Sequence, residues 1–112
     1  MSLNKHKIVF IGGQKIASKI FELFMDFDNI EIGMIFELEL DSHEINNFQG
    51  IKEKIKLNNI NTQYKSTKKL SNLDIKEIQN YSPDFIFVIN WRTIIGSEIL
   101  NIQNCKYNFM LI

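Results

Sequence analysis

The stretch that decides the fold is Ser82-Pro83-Asp84-Phe85-Ile86-Phe87-Val88-Ile89, in which a proline turn leads into five consecutive apolar residues. A short, continuous apolar run bounded by turn residues is typical of a strand that is buried on both faces, as in parallel sheets. Pro83 also ends the preceding helix, because proline disfavours the helical conformation at the residue before it. We therefore expect a central parallel strand at Phe85–Ile89.

Patterns typical of strands and helices alternate on both sides of this stretch. Strand patterns cover Lys7–Ile11, Ile30–Phe36, Ile60–Tyr64 and Lys106–Ile112. Helical spacing of apolar residues covers Ile16–Phe27, Ile51–Leu57, Leu73–Ile78 and Ile94–Leu100, with Asn72 as the candidate N-cap of the third helix. This alternation predicts an α/β fold, a three-layer open parallel sheet of about five strands with helices on both faces.

Length and composition indicate one globular domain. The chain has 112 residues, 45% of them hydrophobic and 23% charged, and its 13 basic residues balance its 13 acidic ones. This composition excludes a disordered chain, and the balance of charge leaves no global field that would gather nucleic acid or acidic lipid. The single cysteine, Cys105, indicates a reducing compartment, and no apolar run approaches the roughly 20 residues of a membrane span. We expect a cytoplasmic protein with no nucleic acid and no membrane among its partners.

The two ends of the sequence carry expectations of their own. Ser2-Leu3 behind Met1 is typical of an expression remnant, so residues 1–3 are left out of the fold prediction. The other end stops on Asn108-Phe109-Met110-Leu111-Ile112, an apolar, strand-like run with no polar tail. Because chain termini usually lie at the surface in polar sequence, we expect a domain that is cut short within a buried strand.

Candidate ligand-binding residues follow the strands, because ligands of open α/β sheets bind beyond the carboxyl ends of the strands. Gly12-Gly13-Gln14 could present backbone N–H groups to a phosphate or carboxylate at the start of a helix, or could form a plain strand–helix turn. A dinucleotide-binding fingerprint would need glycine where Gln14 stands. Glu37 follows the second strand, where a ribose-binding acid could lie, but a single acid in the acidic loop predicted for residues 37–47 is weak support.

A second candidate is Asn90-Trp91-Arg92-Thr93, directly after the most apolar strand. An aromatic ring and a cation in this place can line a flat, partly apolar pocket, and they can equally pack on the next helix and cap a carbonyl. Other polar clusters favour no site. The acids and His43 of the loop lack the spacing of a metal site, and Lys65, Lys68 and Lys69 are too few to indicate nucleic-acid binding.

Several of these elements together resemble a known family. The segment Ser82–Phe87, followed by Arg92, Ile95, Glu98-Ile99-Leu100 and Asn108-Phe109, is similar to the fourth and fifth strands of the 10-formyltetrahydrofolate-dependent formyltransferases. The resemblance is nearest to the sugar-nucleotide N-formyltransferases and runs along residues 1–112, as a partial N-terminal domain with a Rossmann-like fold. The proline-aspartate strand and the helix after it carry the resemblance most specifically, whereas the first half of the chain is generic.

The resemblance implies a reaction and its ligands. These enzymes transfer a formyl group from 10-formyltetrahydrofolate to the amine of a nucleotide-linked amino sugar. By position, the phosphorylated substrate would face Gly12, Gly13 and Gln14, and the wall against the pterin of the folate would consist of Val88, Trp91, Arg92, Thr93, Ile94 and Ile95. The loop Glu37–Glu44 is acidic where methionyl-tRNA formyltransferases have a basic segment, which disfavours tRNA through charge repulsion.

The resemblance also implies that this chain is catalytically incompetent. The family uses the Asn and His of an Asn-x-His motif on the fifth strand and a downstream Asp. Asn108 matches the Asn, but Met110 stands at the His position, and the downstream Asp is absent. A thioether neither shuttles a proton nor donates to an oxyanion, and loss of an oxyanion donor alone costs about two to three orders of magnitude in rate. We expect no measurable turnover and poor folate affinity, with no cofactor bound by this chain.

Three alternatives remain open. The chain could be a small non-catalytic α/β interaction or ligand-binding module whose last strand pairs with a partner or a second copy, since an unpaired strand edge invites strand addition. It could be a fragment similar to methionyl-tRNA formyltransferases, or a nucleotide-binding Rossmann enzyme, which Gln14 disfavours. The apolar end of the chain predicts a homo-oligomer formed through the exposed edge of the sheet.

Overall fold

The computed structural model describes residues 5–39 and 49–91 with their side chains, and residues 109–111 by their backbone. Within these residues the strands are β1 (His6–Gly12), β2 (Ile30–Leu38), β3 (Gln63–Thr67), β4 (Phe85–Ile89) and β5 (Phe109–Leu111). The helices are α1 (Gln14–Phe24), α2 (Ile51–Leu57) and α3 (Asn72–Tyr81). Strands and helices alternate from β1 to β4, which confirms the predicted α/β fold.

The five strands lie in one sheet with the order β3-β2-β1-β4-β5, and every neighbouring pair is parallel. β1 is the middle strand. β4 is an interior strand, as its apolar sequence predicts, but it lies beside the centre of the sheet and not at it. After β3 the chain crosses back past β1, so the carboxyl ends of β1 and β4 form the switch point at which ligands of open α/β sheets bind.

Helices cover both faces of the sheet, because the side chains of successive strand residues point to opposite faces. On one face α3 packs on a largely aliphatic core made up of Val9, Ile11, Met34, Phe36, Ile78, Ile86 and Val88. On the other face the helices α1 and α2 cover a core made up of Phe10, Ala17, Phe21, Ile35, Ile51 and Ile89. The predicted three-layer arrangement is confirmed.

The proline-aspartate stretch aligns β4 with β1. Ser82 has a φ of 53° and ends α3 by donating its N–H to the carbonyl oxygens of the last turn. Asp84 then pairs twice with Lys7 of β1. The Lys7 N–H donates to the Asp84 carboxylate at 2.8 Å, and the Asp84 N–H donates to the Lys7 carbonyl oxygen at 2.8 Å. These two bonds set the start of β4 beside the start of β1, which is why this short stretch is so informative.

Two of the predicted strands, β2 and β3, have boundaries that were wrong by two or more residues. β2 continues to Leu38, so Glu37 lies within the strand and not at the start of the predicted loop. β3 begins three residues later than the predicted Ile60–Tyr64. The reason is that the Ile60 N–H still donates to the Ile55 carbonyl oxygen at the end of α2. Alternating apolar residues identified the strand but not the residue at which the chain leaves the helix.

The predicted cap of α3 was also wrong. Ser71, and not Asn72, is the N-cap: its hydroxyl accepts from the Asp74 N–H at 3.1 Å, and the Asp74 carboxylate accepts from the Ser71 N–H at 2.8 Å. This reciprocal pair is a capping box. The predicted helix Ile94–Leu100 lies outside the described residues, and the predicted strand Lys106–Ile112 is described only where β5 forms.

Candidate functional site

The switch point brings together the turn after β1 and the first residue after β4. The side chain of Asn90 joins the two, because its Nδ2 donates to the Gly13 carbonyl oxygen at 3.2 Å and to Oε1 of Gln14 at 3.1 Å. The Gly13 N–H donates to the Ile89 carbonyl oxygen at 3.0 Å, which draws the turn against the end of β4. The structure therefore connects the predicted Gly12–Gln14 site with Asn90 of the second candidate stretch.

Close packing explains the two glycines of this turn. A Cβ atom on Gly12 would lie 2.8 Å from the Ile89 carbonyl oxygen and 2.8 Å from Cβ of Ala17. A Cβ atom on Gly13 would lie 2.5 Å from Cβ of Leu38. These distances are far below van der Waals contact, so only glycine lets the turn pass between the ends of its neighbours. This packing supports the plain strand–helix turn, and the bonded Gly13 N–H is not available to a ligand.

Two residues of the site have left-handed backbone conformations. The φ angles are 63° for Gln14 and 53° for Asn90, and the two side chains are hydrogen-bonded to each other. Left-handed φ values are uncommon for residues other than glycine and are costly unless the surroundings hold them. The other two such residues in the described part of the chain, Asn59 and Ser82, simply follow helix ends. Among these four residues, a left-handed backbone that no helix end explains therefore occurs only at the switch point.

The helix α1 begins directly at this turn and directs its first N–H groups towards it. Gly13 is the N-cap and has no side chain to accept them, and the first turn contains no acidic residue. The first N–H groups of a helix have no partner within the helix, and the helix dipole favours an anion there. The start of α1 can therefore hold a phosphate or a carboxylate, even though the Gly13 N–H is already bonded.

Val88 and Trp91 belong to the face that α3 covers. Val88 is buried in the core of that face, and Trp91 packs against the same core. The indole Nε1 of Trp91 is shielded from solvent and has no acceptor among the described residues. The predicted packing of Trp91 on the next helix lies outside the described residues, and its part in a folate-binding wall stays a prediction. The other residues predicted for that wall or for catalysis lie outside the described part of the chain: Arg92, Thr93, Ile94, Ile95, Asn108 and the side chain of Met110.

Sequence reasoning missed a polar centre at the end of β2. Glu37 is only 9% exposed, and both of its carboxylate oxygens accept hydrogen bonds. The Tyr64 hydroxyl donates to Oε1 at 2.5 Å, and the Ile51 N–H at the start of α2 donates to Oε2 at 3.0 Å. Burial, followed by the hydrogen bond and the charge of Glu37, raises the pKa of Tyr64 well above its ordinary value.

This centre explains the role of Glu37 without a ligand. The carboxylate ties β2 to β3 and to α2, which leaves the ribose-binding interpretation without support from the geometry. The sequence contained a signal for this buried polar centre. An acid inside an otherwise apolar strand, Met34–Leu38, needs a buried donor, and a tyrosine stood in the next predicted strand.

A second buried carboxylate removes one lysine from the predicted basic patch. Nζ of Lys65 lies 2.8 Å and 3.1 Å from the two carboxylate oxygens of Asp74. Burial alone would raise the pKa of Asp74, but the hydrogen bonds from Lys65 and from Ser71 outweigh burial and lower it. Lys65 therefore serves the packing of β3 against α3.

Residues 5–39 and 49–91 contain no group of three or more acids, histidines or cysteines placed to hold a metal ion. No helix in that part of the chain is long and apolar enough to cross a bilayer. No protein-family model matches the sequence, and no curated protein matches it.

Proposed function

We propose that this chain is a formyltransferase-like domain of the sugar-nucleotide N-formyltransferase type, working in the cytoplasm, and that it transfers no formyl group itself. The parent reaction moves a formyl group from 10-formyltetrahydrofolate to the amine of a nucleotide-linked amino sugar. The observation that carries the proposal is the junction of Gln14 with Asn90 at the switch point. This junction lies between the predicted substrate residues after β1 and the predicted folate residues after β4.

The start of α1 supports an anionic substrate at this junction. A nucleotide-linked sugar carries a diphosphate, and uncapped N–H groups at the start of an eleven-residue helix favour such a group. The carboxamide of Gln14 stands beside them and is held by Asn90, so it can donate to or accept from a sugar hydroxyl. The sequence departs from a dinucleotide-binding fingerprint at this same residue, which supports a nucleotide sugar over a nicotinamide dinucleotide.

The identity of residue 110 supports the catalytic part of the proposal. In formyl transfer the amine attacks the formyl carbon, and the negative charge that develops on the formyl oxygen needs donors. The amide of Asn108 could supply one. The family's second donor, an imidazole, would stand at Met110 on β5, which pairs with Phe87 of β4. A thioether cannot donate a proton, so the second donor and the general base are both lost.

The binding part of the proposal is tested by titrating the protein with UDP- and dTDP-linked amino sugars. Amide shifts in an NMR spectrum would report on the start of α1, and the fluorescence of Trp91, the only tryptophan, would report on the end of β4. We expect both to respond to the nucleotide sugars, with the Gln14→Ala variant binding about three- to tenfold more weakly because it loses one hydrogen bond. Asn80→Ala, an exposed change on α3, is the matched control and should bind as the parent chain does.

Two results would contradict this proposal. Tight binding of NAD with no response to nucleotide sugars would identify a nucleotide-binding Rossmann protein instead. Formation of a formylated amine from 10-formyltetrahydrofolate by the purified chain would overturn the prediction that Met110 abolishes the reaction. Folate analogues alone should bind weakly, because the segment after β4 supplies only one wall of the predicted pterin pocket.

A second candidate function rests on the edge of the sheet. Among the described residues β5 pairs with β4 alone, so its outer edge has backbone groups without strand partners. Such an edge can accept a strand from a partner protein or from a second copy. Light scattering across a wide concentration range distinguishes this function, since a chain that stays monomeric at high concentration and binds nucleotide sugars would favour the first proposal.

A further inference from the structure

We propose a second ligand site, at the ends of the strands opposite to the switch point, that binds a small hydrophobic ammonium ion of the alkyl- or arylammonium class. It goes beyond the proposed function, because it lies at the amino-terminal ends of the strands and shares no residue with the switch point. The site is an open cleft of about 320 Å³ between the end of α1 and the end of α2. Phe24 and Phe27 line it on the α1 side, Ile32 comes from β2, and Asn58 comes from the C-cap of α2.

The walls of the cleft fit an apolar body with an aromatic or alkyl chain. Its volume lies at the lower end of the range for small-molecule sites, which is roughly 300–1,000 Å³. Phe27 is 57% exposed, so its ring offers apolar surface to a ligand rather than to the core. The face of a phenylalanine ring also attracts cations, and this attraction strengthens where water is partly excluded.

The charges next to the lining residues of the cleft favour a cation. The cleft lies at the C-terminal end of α1, which is the negative end of the helix dipole, and the last turn of α1 contains no basic residue. Asp26 and Asp28 flank Phe27 on either side, and both are exposed. Neither carboxylate has an ion-pair partner among the described residues, whereas Glu22, one turn earlier in α1, pairs with Lys54.

The two lysines in the last turn of α2 do not cancel this charge. Lys54 is buried, and its ammonium group donates to the Ser18 carbonyl oxygen at 2.9 Å and to Glu22 at 3.3 Å. Lys56 stands two residues before Asn58, about 160° around the helix from the residue that faces the cleft. A neutral ligand of the same shape would gain nothing from the two aspartates, and an anion would be repelled by them.

An NMR titration of the protein with phenethylammonium chloride tests the site. We expect amide shifts confined to the end of α1, the start of β2 and the end of α2. The neutral near-isostere 2-phenylethanol should bind at least about threefold more weakly at the same ionic strength, because it lacks the charge that the aspartates and the ring attract. This comparison uses the parent chain alone, so it does not depend on how any variant folds.

Two variants test whether the aspartates and the Phe27 ring contribute to ligand binding. The Asp26→Asn/Asp28→Asn double variant should weaken phenethylammonium binding about three- to tenfold and leave 2-phenylethanol unchanged. Phe27→Ala should weaken both ligands. The matched controls are Glu77→Gln and Leu73→Ala, exposed changes on α3 at the other face of the sheet, and both should bind as the parent chain does.

Three outcomes would overturn the proposal. They are equal binding of the ammonium ion and the alcohol, a double variant that binds phenethylammonium as tightly as the parent chain, and the lack of amide shifts at the cleft. Nucleotide-sugar binding should be the same in Phe27→Ala as in the parent chain. Loss of that binding in Phe27→Ala would mean that the two sites are not separate, whereas failure of the ammonium titration would leave the switch-point proposal intact.

Discussion

The two buried carboxylates beside β3 hold the same strand by different means. Glu37, on β2, accepts from two uncharged donors, the Tyr64 hydroxyl and the Ile51 N–H. Asp74, on α3, is 3% exposed and accepts from the Lys65 ammonium group and from the capping N–H of Ser71. One carboxylate is thus bonded only to uncharged donors, whereas the other faces a cation.

The difference between the two carboxylates follows from the residues that β3 brings to its contacts. β3 is a polar edge strand in which no residue of Gln63–Thr67 is fully buried, so it brings little apolar area to the core. Its inner contacts are therefore polar. Tyr64 reaches Glu37 and Lys65 reaches Asp74 from successive positions on the strand, which point to opposite faces. On each face, β3 is held by one side-chain contact to a buried carboxylate. Removing either contact tests how much it contributes to the free energy of unfolding.

The largest effect is expected from Glu37→Ala. This change leaves the Tyr64 hydroxyl and the Ile51 N–H without acceptors in a buried place, and each unsatisfied donor costs roughly 1–3 kcal/mol. We expect the free energy of unfolding, measured by urea denaturation, to fall by about 3 kcal/mol. Glu39→Ala, an exposed change just past the same strand, is the control. Equal losses in the two variants would mean that the buried hydrogen bonds contribute nothing measurable.

A smaller loss is expected from Asp74→Ala. This change removes the capping box and the partner of Lys65, but the Lys65 side chain is 49% exposed and returns to water. We expect a loss of about 2 kcal/mol, most of it from the cap. Lys65→Met, which removes the ion pair and keeps the cap, should cost less than about 1 kcal/mol in the same urea measurement. If Lys65→Met costs as much as Asp74→Ala, the ion pair and not the cap is the main contact.

The sequence predicted the sheet well, because its inner strands are specified by local pattern. Phe85–Ile89 and Ile8–Ile11 are apolar, β-branched or aromatic, and short, and such runs leave few alternatives to a buried strand. The outer strand β3 was placed three residues too early, because its position depends on polar contacts with Glu37 and Asp74 that no local pattern records. The same reason explains the error at Asn72, since Ser71 was selected as cap by a reciprocal bond with Asp74.

The candidate site was predicted by residue type but not by conformation. The sequence placed Gly12–Gln14 and Asn90 after their strands, and the parallel order of β1 and β4 then brings them together. The left-handed backbones of Gln14 and Asn90 could not be predicted, because they depend on a hydrogen bond between residues 76 positions apart. The formyltransferase interpretation stays a prediction, since Asn108 and the side chain of Met110 lie outside the described residues.

Tyr64→Phe separates the contribution of the Tyr64 hydroxyl from that of its ring. Tyr64→Phe keeps the packing but leaves Oε1 of Glu37 without its donor, so we expect a loss of about 1 kcal/mol at neutral pH. Because the pKa of Tyr64 is raised in the folded chain, its contribution is fully present below the ordinary tyrosine pKa, about 10, and is lost as pH rises through the folded value. Urea denaturation from neutral to alkaline pH should therefore show a steeper fall for the parent chain than for Tyr64→Phe. Parallel curves would contradict the hydrogen bond.

The smallest effect is expected on the acid side, from Asp74. Its pKa is lowered in the folded chain, so its contribution is present above the unfolded pKa of 3.8 and is lost as pH falls through the folded value. The lowering is limited, because burial of the carboxyl group opposes the hydrogen bonds from Lys65 and Ser71. Asp74→Asn should therefore flatten the fall of the unfolding free energy below pH 4. At neutral pH it should lower that free energy by less than Asp74→Ala does. Glu77→Gln on the same helix is the control, and an unchanged acid limb in Asp74→Asn would contradict a lowered pKa of Asp74 in the folded chain.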